Sequence, residues 1–415
     1  MSSTLPTLGL PWSLPFYRAL NGPHPLVQSF LENNEAIRSY EITRTFNPQN
    51  SIGVAVGTAL AQHCGSIDDK ADQTKYIERL HLLDQICIEG QGDSYDALFL
   101  HTAPLYAGAK PWIFHFESFP SIFFPFINTG ATRDLHLKEK GYFKGIENAF
   151  LSAQCRAIFS HMKSSIEVMQ RVFDSDVIRR KLHYVPLGIN IESPTEALRK
   201  FDTSSSLHIL FTNSLHQDPG SFYLRGGHHL LRAFSTLRRR HPNLHLTILS
   251  SVPQDLGKWF QQGDLDGVRW INHRVSDDEL RQLYFSHHMF ALPSAGLHSF
   301  SILRAMASGC VPIISDALGY EEYLAPEEDS VMRIFGVRES VYCDHPEGWV
   351  SDDYRGFRQA ILPAMVEQLE QQISDHLNPD LLRAMAMRNM FHCVRRQTVA
   401  HSHQQFEQML RQAFL

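Results

Sequence analysis

Short apolar runs alternate with longer amphipathic stretches along most of this 415-residue chain. A buried parallel strand forms a continuous apolar run, because helices cover both faces of its sheet. This alternation predicts an α/β fold with parallel sheets. The predicted strands are Ala97–His101, Trp112–Phe116, Ala157–Ser160, His183–Val185, Leu207–Phe211, His245–Leu249, His288–Leu292 and Val311–Ser315.

The chain is too long for one ordinary hydrophobic core, so its length predicts two domains. The segment 191–206 is polar, contains Pro194 and precedes a predicted strand, which is typical of a linker. We therefore expect a first domain at 1–190 and a second at 207–350. Residues 351–415 have helical spacing of apolar side chains, and we expect these helices to pack across both domains.

The composition excludes several classes of protein. Hydrophobic residues make up 43% and charged residues 20%, and the net charge of -6 gives no basic field for binding nucleic acid. The six cysteines are widely spaced and suggest neither a metal site nor a disulfide framework, so we expect reduced thiols, no metal and no cofactor. Without a secretion signal or a spanning apolar segment, the chain is expected to be cytoplasmic.

The most informative motif is residues 292–316, LPSAGLHSFSILRAMASGCVPIISD. It predicts a strand, a loop of small residues, a helix and a second strand. Backbone N–H groups at the start of a helix bind anions, so we expect the loop to cradle a diphosphate. An ordinary strand–helix–strand crossover is the alternative. The loop residues concerned are Gly296, Leu297, His298 and Ser299.

This motif resembles the signature of GT-B glycosyltransferases, especially the large retaining family that includes sucrose and phosphatidylinositol mannosyl transferases. The resemblance implies two Rossmann-like domains facing each other across a cleft, with acceptor bound by the first and nucleotide sugar by the second. The end of the motif's helix is also similar to exostosin-like transferases, which are inverting, so the stereochemical outcome stays open. Further segments resemble the retaining family in the same order: 96–101, 111–115, 155–172, 184–190 and 268–293.

The resemblance implies a set of residues that bind the donor. The family's phosphate-binding motif falls on Arg225 and Gly226, and the glutamate of a later turn falls on Glu322. Two further glutamates of the family are replaced here by Gly296 and Arg304. A guanidinium offers phosphate a planar fork of donors, so Arg225 and Arg304 are candidate diphosphate ligands. A surface position for Arg225, a structural ion pair for Arg304 and a helix-start carboxylate for Glu322 are the alternatives.

His115 and Glu117 follow an apolar run that resembles the family's histidine-ending strand. Side chains at the carboxyl end of a parallel strand face the ligand crevice of α/β proteins. We expect His115 to bind the sugar or stabilise charge, and Glu117 to accept a proton from the acceptor hydroxyl. A lone histidine buried in the core is the alternative.

The run 116–126 contains five phenylalanines and two prolines. It is too interrupted by proline for a helix and too apolar for a free loop. We favour its burial in the core. An acceptor pocket or a peripheral membrane contact is the alternative.

Together these features predict an enzyme that transfers a sugar from a UDP- or GDP-sugar to a hydroxyl acceptor, without a dedicated metal. The acceptor is a glycan, a lipid-linked molecule or a small molecule. Two alternatives remain: a GT-B relic that acts as a binding or scaffold protein, which the missing glutamates favour, and an enzyme that epimerises or hydrolyses a nucleotide sugar.

Overall fold

The computed structural model describes residues 4–14, 16–18, 24–43, 82–101, 103–124, 126–203, 205–213, 219–296, 298–324 and 330–415. The chain divides into two compact units that are not simple halves of the sequence. The first unit comprises Met1–Gly188, Asp344–Ser351 and Val399–Leu415, and the second comprises Ile189–Cys343 and Asp352–Thr398.

The first unit is built on a six-stranded sheet in the order β2-β1-β3-β4-β5-β6. Every neighbouring pair in this sheet is parallel. The parallel pairing aligns the carboxyl ends of all six strands along one edge of the sheet. The strands are β1 Leu8–Leu10, β2 Ser39–Glu41, β3 Ala97–His101, β4 Trp112–His115, β5 Cys155–Ser160 and β6 Leu182–Tyr184.

The second unit contains another parallel six-stranded sheet, in the order β12-β11-β10-β7-β8-β9. This order is that of the doubly wound Rossmann fold, in which the chain reverses direction across the sheet beside its first strand. The strands are β7 Leu207–Thr212, β8 Leu244–Leu249, β9 Val268–Ile271, β10 Met289–Leu292, β11 Val311–Ser315 and β12 Met332–Ile334. The short strands β13 Tyr342–Asp344 and β14 Val350–Asp352 form a separate two-stranded sheet.

Helices connect the strands, and no described helix is long and apolar enough to cross a bilayer. Those with residues in the first unit are His24–Leu26, Leu82–Gly90, Gly141–Leu151, Lys163–Val172, Asp176–Lys181 and Val399–Phe414. Those of the second unit are Pro194–Leu198, Lys200–Thr203, Ser221–Leu224, Gly227–Arg240, Asp277–Ser286, Ser299–Ala307, Val337–Val341, Arg355–Gln359, Pro363–Asp375 and Pro379–Arg396. Helical turns of the π or 3-10 type lie at Val27–Leu31, Gly92–Ser94, Phe119–Phe123, Leu256–Lys258, Gln262–Leu265 and Tyr320–Tyr323.

The predicted α/β class and all eight predicted strands are confirmed, with ends that shift by at most two residues. The segment 191–206 differs from the predicted polar linker, because it contains two short helices and groups with the second unit. Pro194 does not break the first of these helices, because it lies in the first turn, where proline costs no hydrogen bond.

The aromatic run 116–126 lies in the core of the first unit, as we favoured, and does not form an open acceptor pocket. Phe116, Phe119, Phe123 and Phe126 are buried, and only Phe124 among the described phenylalanines of this run is exposed. Phe119 contacts Trp349, which the segment Asp344–Ser351 contributes to the same core.

Neighbouring phenylalanines of this run should differ sharply in their effect on stability. Phe123 is fully buried, whereas the side chain of Phe124 is 41% exposed. Phe123→Ala should lower the free energy of unfolding by about 3–5 kcal/mol, the range for deleting a buried aromatic ring. The matched control, Phe124→Ala, should cost less than about 1 kcal/mol. Denaturant unfolding measures both, and equal losses would contradict the core assignment.

Candidate functional site

The first candidate site lies at the switch point of the second sheet. β7 and β10 are neighbours there, and their connections run to opposite sides because β8 and β11 lie on opposite flanks. In open α/β sheets this arrangement forms a crevice beyond the carboxyl ends of the two strands, where ligands bind. The residues that follow β7 and β10 therefore define the site.

Gly226 and Pro293 bring these two connections into contact. Gly226 has φ of 75°, a left-handed conformation that suits glycine. A Cβ atom on this residue would lie 2.0 Å from the carbonyl oxygen of Pro293. Only a residue without a side chain allows the loop after β10 to approach this closely.

Hydrogen bonds hold the loop after β10 against the chain that precedes Gly226. The carbonyl of Leu224 accepts from the backbone N–H of Ala295 at 2.8 Å and from the hydroxyl of Ser294 at 3.1 Å. Tyr342 donates to the carbonyl of Ala295 at 2.5 Å. The loop that we predicted to cradle a diphosphate is thus held in place by hydrogen bonds to Leu224 and to Tyr342. We call it the pinned loop.

Arg225 and His298 lie together at this point. Arg225 is buried and donates through Nη1 to the carbonyl of Thr212, the last residue of β7, at 3.3 Å. Burial and the nearby Arg225 guanidinium hold the pKa of His298 well below its usual range, so its imidazole is neutral at pH 7. The site therefore carries the fixed charge of an arginine and no second cation from His298.

The remaining predicted donor residues occupy different parts of the second unit. Gly296 lies in the pinned loop and Ser299 begins the helix after it, whereas Leu297 is outside the described residues. Arg304 lies later on this helix, with its guanidinium 5.1 Å from the ring centre of Phe300. Glu322 lies in the 3-10 turn Tyr320–Tyr323 that follows β11.

The second candidate site lies at the carboxyl edge of the first sheet. His115 ends β4, and its ring is fully buried between two other histidines. Its Nδ1 lies 3.0 Å from Nδ1 of His101, and its Nε2 lies 3.0 Å from Nδ1 of His161. We call these three residues the histidine chain. Among the described residues, no group of histidine, cysteine or acidic side chains has the arrangement of a metal site.

Burial keeps the histidine chain uncharged. It lowers the pKa of His101 to about 4 and that of His161 to about 3, and it holds the pKa of His115 well below the usual range, with further lowering from the two neighbours. All three imidazoles are therefore neutral at pH 7. They can exchange hydrogen bonds but contribute no charge.

Glu117 follows β4 by two residues and is partly buried. Its carbonyl accepts from the hydroxyl of Ser165 at 2.9 Å and from that of Ser160 at 3.3 Å. These bonds fix the backbone on which the Glu117 carboxylate is carried.

His101 and His161 were not among the residues predicted from the sequence. Each looks like an isolated core histidine, yet each stands at the end of a predicted strand, His101 as the last residue of β3 and His161 just after β5. The register pairs His101 with His115 and His115 with Phe159. The sequence feature that could have identified them is that a histidine lies at or just after the end of three predicted strands.

Comparison with solved structures identifies the fold as GT-B. The crystal structure of Anabaena Alr3699/HepE in complex with UDP-glucose has 12% identity and a TM-score of 0.57, covering 98% of this chain and 99% of that one. An α,α-trehalose-phosphate synthase (UDP-forming) from Burkholderia vietnamiensis has 10% identity and a TM-score of 0.51, covering 85% and 80%. No curated protein sequence matches the chain.

The family resemblance is located in the second unit. Residues 208–338 match the family model described as Glycosyl transferases group 1. This region begins in β7 and includes both connections at the switch point. The predicted resemblance to GT-B glycosyltransferases is therefore confirmed.

The contact between Gly226 and Pro293 gives a direct test of the switch-point site. Gly226→Ala should destabilise the second unit by more than about 1 kcal/mol, because the left-handed backbone and the Pro293 carbonyl both oppose a side chain. Gly257→Ala is the control, because its Cβ would meet no atom within 4 Å. Denaturant unfolding checks both variants, and unchanged stability for Gly226→Ala would contradict this description.

Proposed function

We propose that this protein is a glycosyltransferase that moves a hexose-like unit from a UDP- or GDP-sugar to a hydroxyl acceptor. The observation that carries the proposal is the switch-point site, where Arg225 and the pinned loop lie within the region that matches the glycosyltransferase family. The structural neighbour crystallised with UDP-glucose supports a nucleotide sugar as donor. The acceptor is a glycan, a lipid-linked molecule or a small molecule.

In this proposal, the diphosphate leaves with stabilisation from Arg225 and from backbone N–H groups of the loop after β10. Fixed donors of this kind lower the barrier because they need no reorganisation as charge develops. His298, Ser299, Arg304 and Glu322 are proposed as further donor contacts. We propose that no dedicated metal takes part.

A GT-B relic that binds a nucleotide sugar without turnover is the second candidate. The replacement of two family glutamates by Gly296 and Arg304 favours it. A panel of nucleotide sugars decides between these functions. Nucleotide release that requires an acceptor supports the transferase, binding without release supports the relic, and turnover without an acceptor supports an epimerase or hydrolase.

A peripheral membrane contact also stays a proposal, on a surface different from the aromatic run. The helix Pro379–Arg396 exposes Met387, Phe391 and Val394 within one arc, beside Arg395, whereas Arg383 pairs with Asp202 at 3.1 Å. Exposed apolar side chains beside a cation suit an anionic lipid surface.

Arg225→Ala should weaken binding of UDP or GDP by about 1.5–3 kcal/mol, the usual contribution of a hydrogen bond to a charged group. Affinity for the free nucleoside should hardly change, because the nucleoside lacks the diphosphate. Arg240→Ala is the control, since Arg240 is half exposed and pairs with Glu370. Calorimetric titration checks these affinities. Equal losses for nucleoside and diphosphate would show that the substitution disturbs the fold instead.

Glu117→Gln should lower turnover by about a hundredfold or more, the typical contribution of a positioned acid–base group. His115→Ala should lower turnover as well, but only through the lost hydrogen bond to His161, because His115 itself is fully buried. UDP affinity should stay nearly unchanged, because the proposed diphosphate ligands belong to the second unit. Steady-state kinetics with a confirmed donor and acceptor measure this effect. Full turnover in both variants would remove these residues from the catalytic assignment.

A further inference from the structure

The hydrogen bonds of the histidine chain have a direction that the backbone determines. Nδ1 of His101 lies 3.0 Å from Nδ1 of His115 and 3.3 Å from the carbonyl oxygen of His115. A carbonyl oxygen can only accept a hydrogen bond, so the proton must reside on Nδ1 of His101. The opposite arrangement would place a bare nitrogen against a carbonyl oxygen, lone pair against lone pair.

The remaining two tautomers follow from the first. His115 accepts from His101 at Nδ1, and a neutral imidazole carries one N–H, so its proton resides on Nε2. This N–H donates to Nδ1 of His161 over 3.0 Å. The proton of His161 therefore resides on Nε2. Among the described residues, no partner for this outer N–H is found.

We propose that His161 presents this Nε2–H to an uncharged hydroxyl of a sugar, and that His115 and His101 are positioning residues that set its tautomer. The inference rests on the proposed function for the identity of the ligand. The order of the three tautomers follows from the hydrogen bonds alone and does not depend on a substrate. It also explains how the fully buried His115 influences a ligand, since it acts through His161, which follows the last residue of β5 and keeps 5% of its surface exposed.

The electrostatics of the chain favour an uncharged ligand. A phosphate or carboxylate beside His161 would stabilise its imidazolium form, whereas the burial that lowers its pKa to about 3 opposes that charge. A hydroxyl accepts a hydrogen bond from a neutral imidazole and imposes no such conflict. The donor sugar and a sugar acceptor share this chemistry.

The order of the tautomers is tested on the full-length protein labelled with 15N-histidine. Long-range 1H–15N spectra distinguish protonated from bare ring nitrogens, and His101→Gln, His115→Gln and His161→Gln assign the three rings. We expect protons at Nδ1 of His101 and at Nε2 of His115 and His161. A proton at Nδ1 of His115, or a charged ring at pH 7, would overturn the proposal. His136→Gln is the control, because His136 is exposed and outside the chain.

The ligand is tested by adding probes to the same sample. The sugar probes are UDP-glucose, GDP-mannose, glucose and mannose, and at least one of them should shift the Nε2–H signal of His161. UDP, GDP and inorganic phosphate should leave this signal unchanged. A shift with the nucleotide sugars identifies the donor as the source of the hydroxyl, and a shift with a free hexose identifies the acceptor. No shift with any sugar, or protonation of His161 by phosphate, would overturn the ligand assignment.

Substitution of His161 separates ligand contact from structural support. Asparagine keeps an acceptor near the position of Nδ1 for His115 but has no outward donor, whereas glutamine places an amide N–H near the position of Nε2. His161→Asn should lower kcat/KM about tenfold or more, with the spectra of His101 and His115 retained, and His161→Gln should lose less. Full kcat/KM in His161→Asn with intact neighbouring spectra would exclude the contact. If the wild-type protein shows no turnover, the proposed function fails while the spectra still decide the tautomer order.

Discussion

The approach of Gly226 to the carbonyl of Pro293 is the contact on which the switch-point site of the second unit depends. The parallel sheet brings the ends of β7 and β10 side by side, but it does not determine how closely the following loops meet. A residue without Cβ in a left-handed conformation allows the two backbones to touch. Leu224 can then accept from Ala295 and Ser294, and Arg225 is held beside the same loop. The sheet topology thus places the two loops side by side, and Gly226 lets them touch. The position of Arg225 depends on that contact.

The first unit uses the edge of its parallel sheet in a different way. Its neighbouring strands β3, β4 and β5 end at similar height, so the histidines at their ends are stacked across the sheet and bond to one another. Burial keeps the three rings uncharged, so each ring affects the next only through the direction of the hydrogen bond between them. The second unit holds a fixed positive charge at Arg225, whereas the histidines of the first unit are neutral.

Most of the strands that were predicted from the sequence share one physical property. They are apolar runs buried on both faces, and the exception is β6, where Tyr184 is exposed. The strands that were missed are short and carry no clear run, as in Leu8–Leu10 and Ser39–Glu41. The loop between β10 and the helix Ser299–Ala307 was predictable because small residues between a strand and a helix form a local pattern. The histidine chain was not, since its members are separated by 14 and 46 residues and meet only through sheet register. Tautomers and loop contacts depend on such distant pairs, so an isolated segment carries little information about them.

Replacement of the two family glutamates has different consequences for the attraction of a diphosphate and for hydrogen bonds to a ribose. Exchanging a carboxylate for Arg304 replaces a negative charge by a positive one, which makes the second unit more favourable for an anionic diphosphate. A glycine at 296 removes a negative charge from the loop itself, and Tyr354 would lie 3.6 Å from a Cβ at this position. Burial raises the pKa of Tyr354 well above its ordinary value, so its hydroxyl is neutral. The exchange therefore removes the two carboxylates that the family resemblance implies, without weakening attraction for phosphate. Under the proposed function, loss of the glutamates is compatible with donor binding, and we propose that ribose is bound by neutral groups or by Glu322.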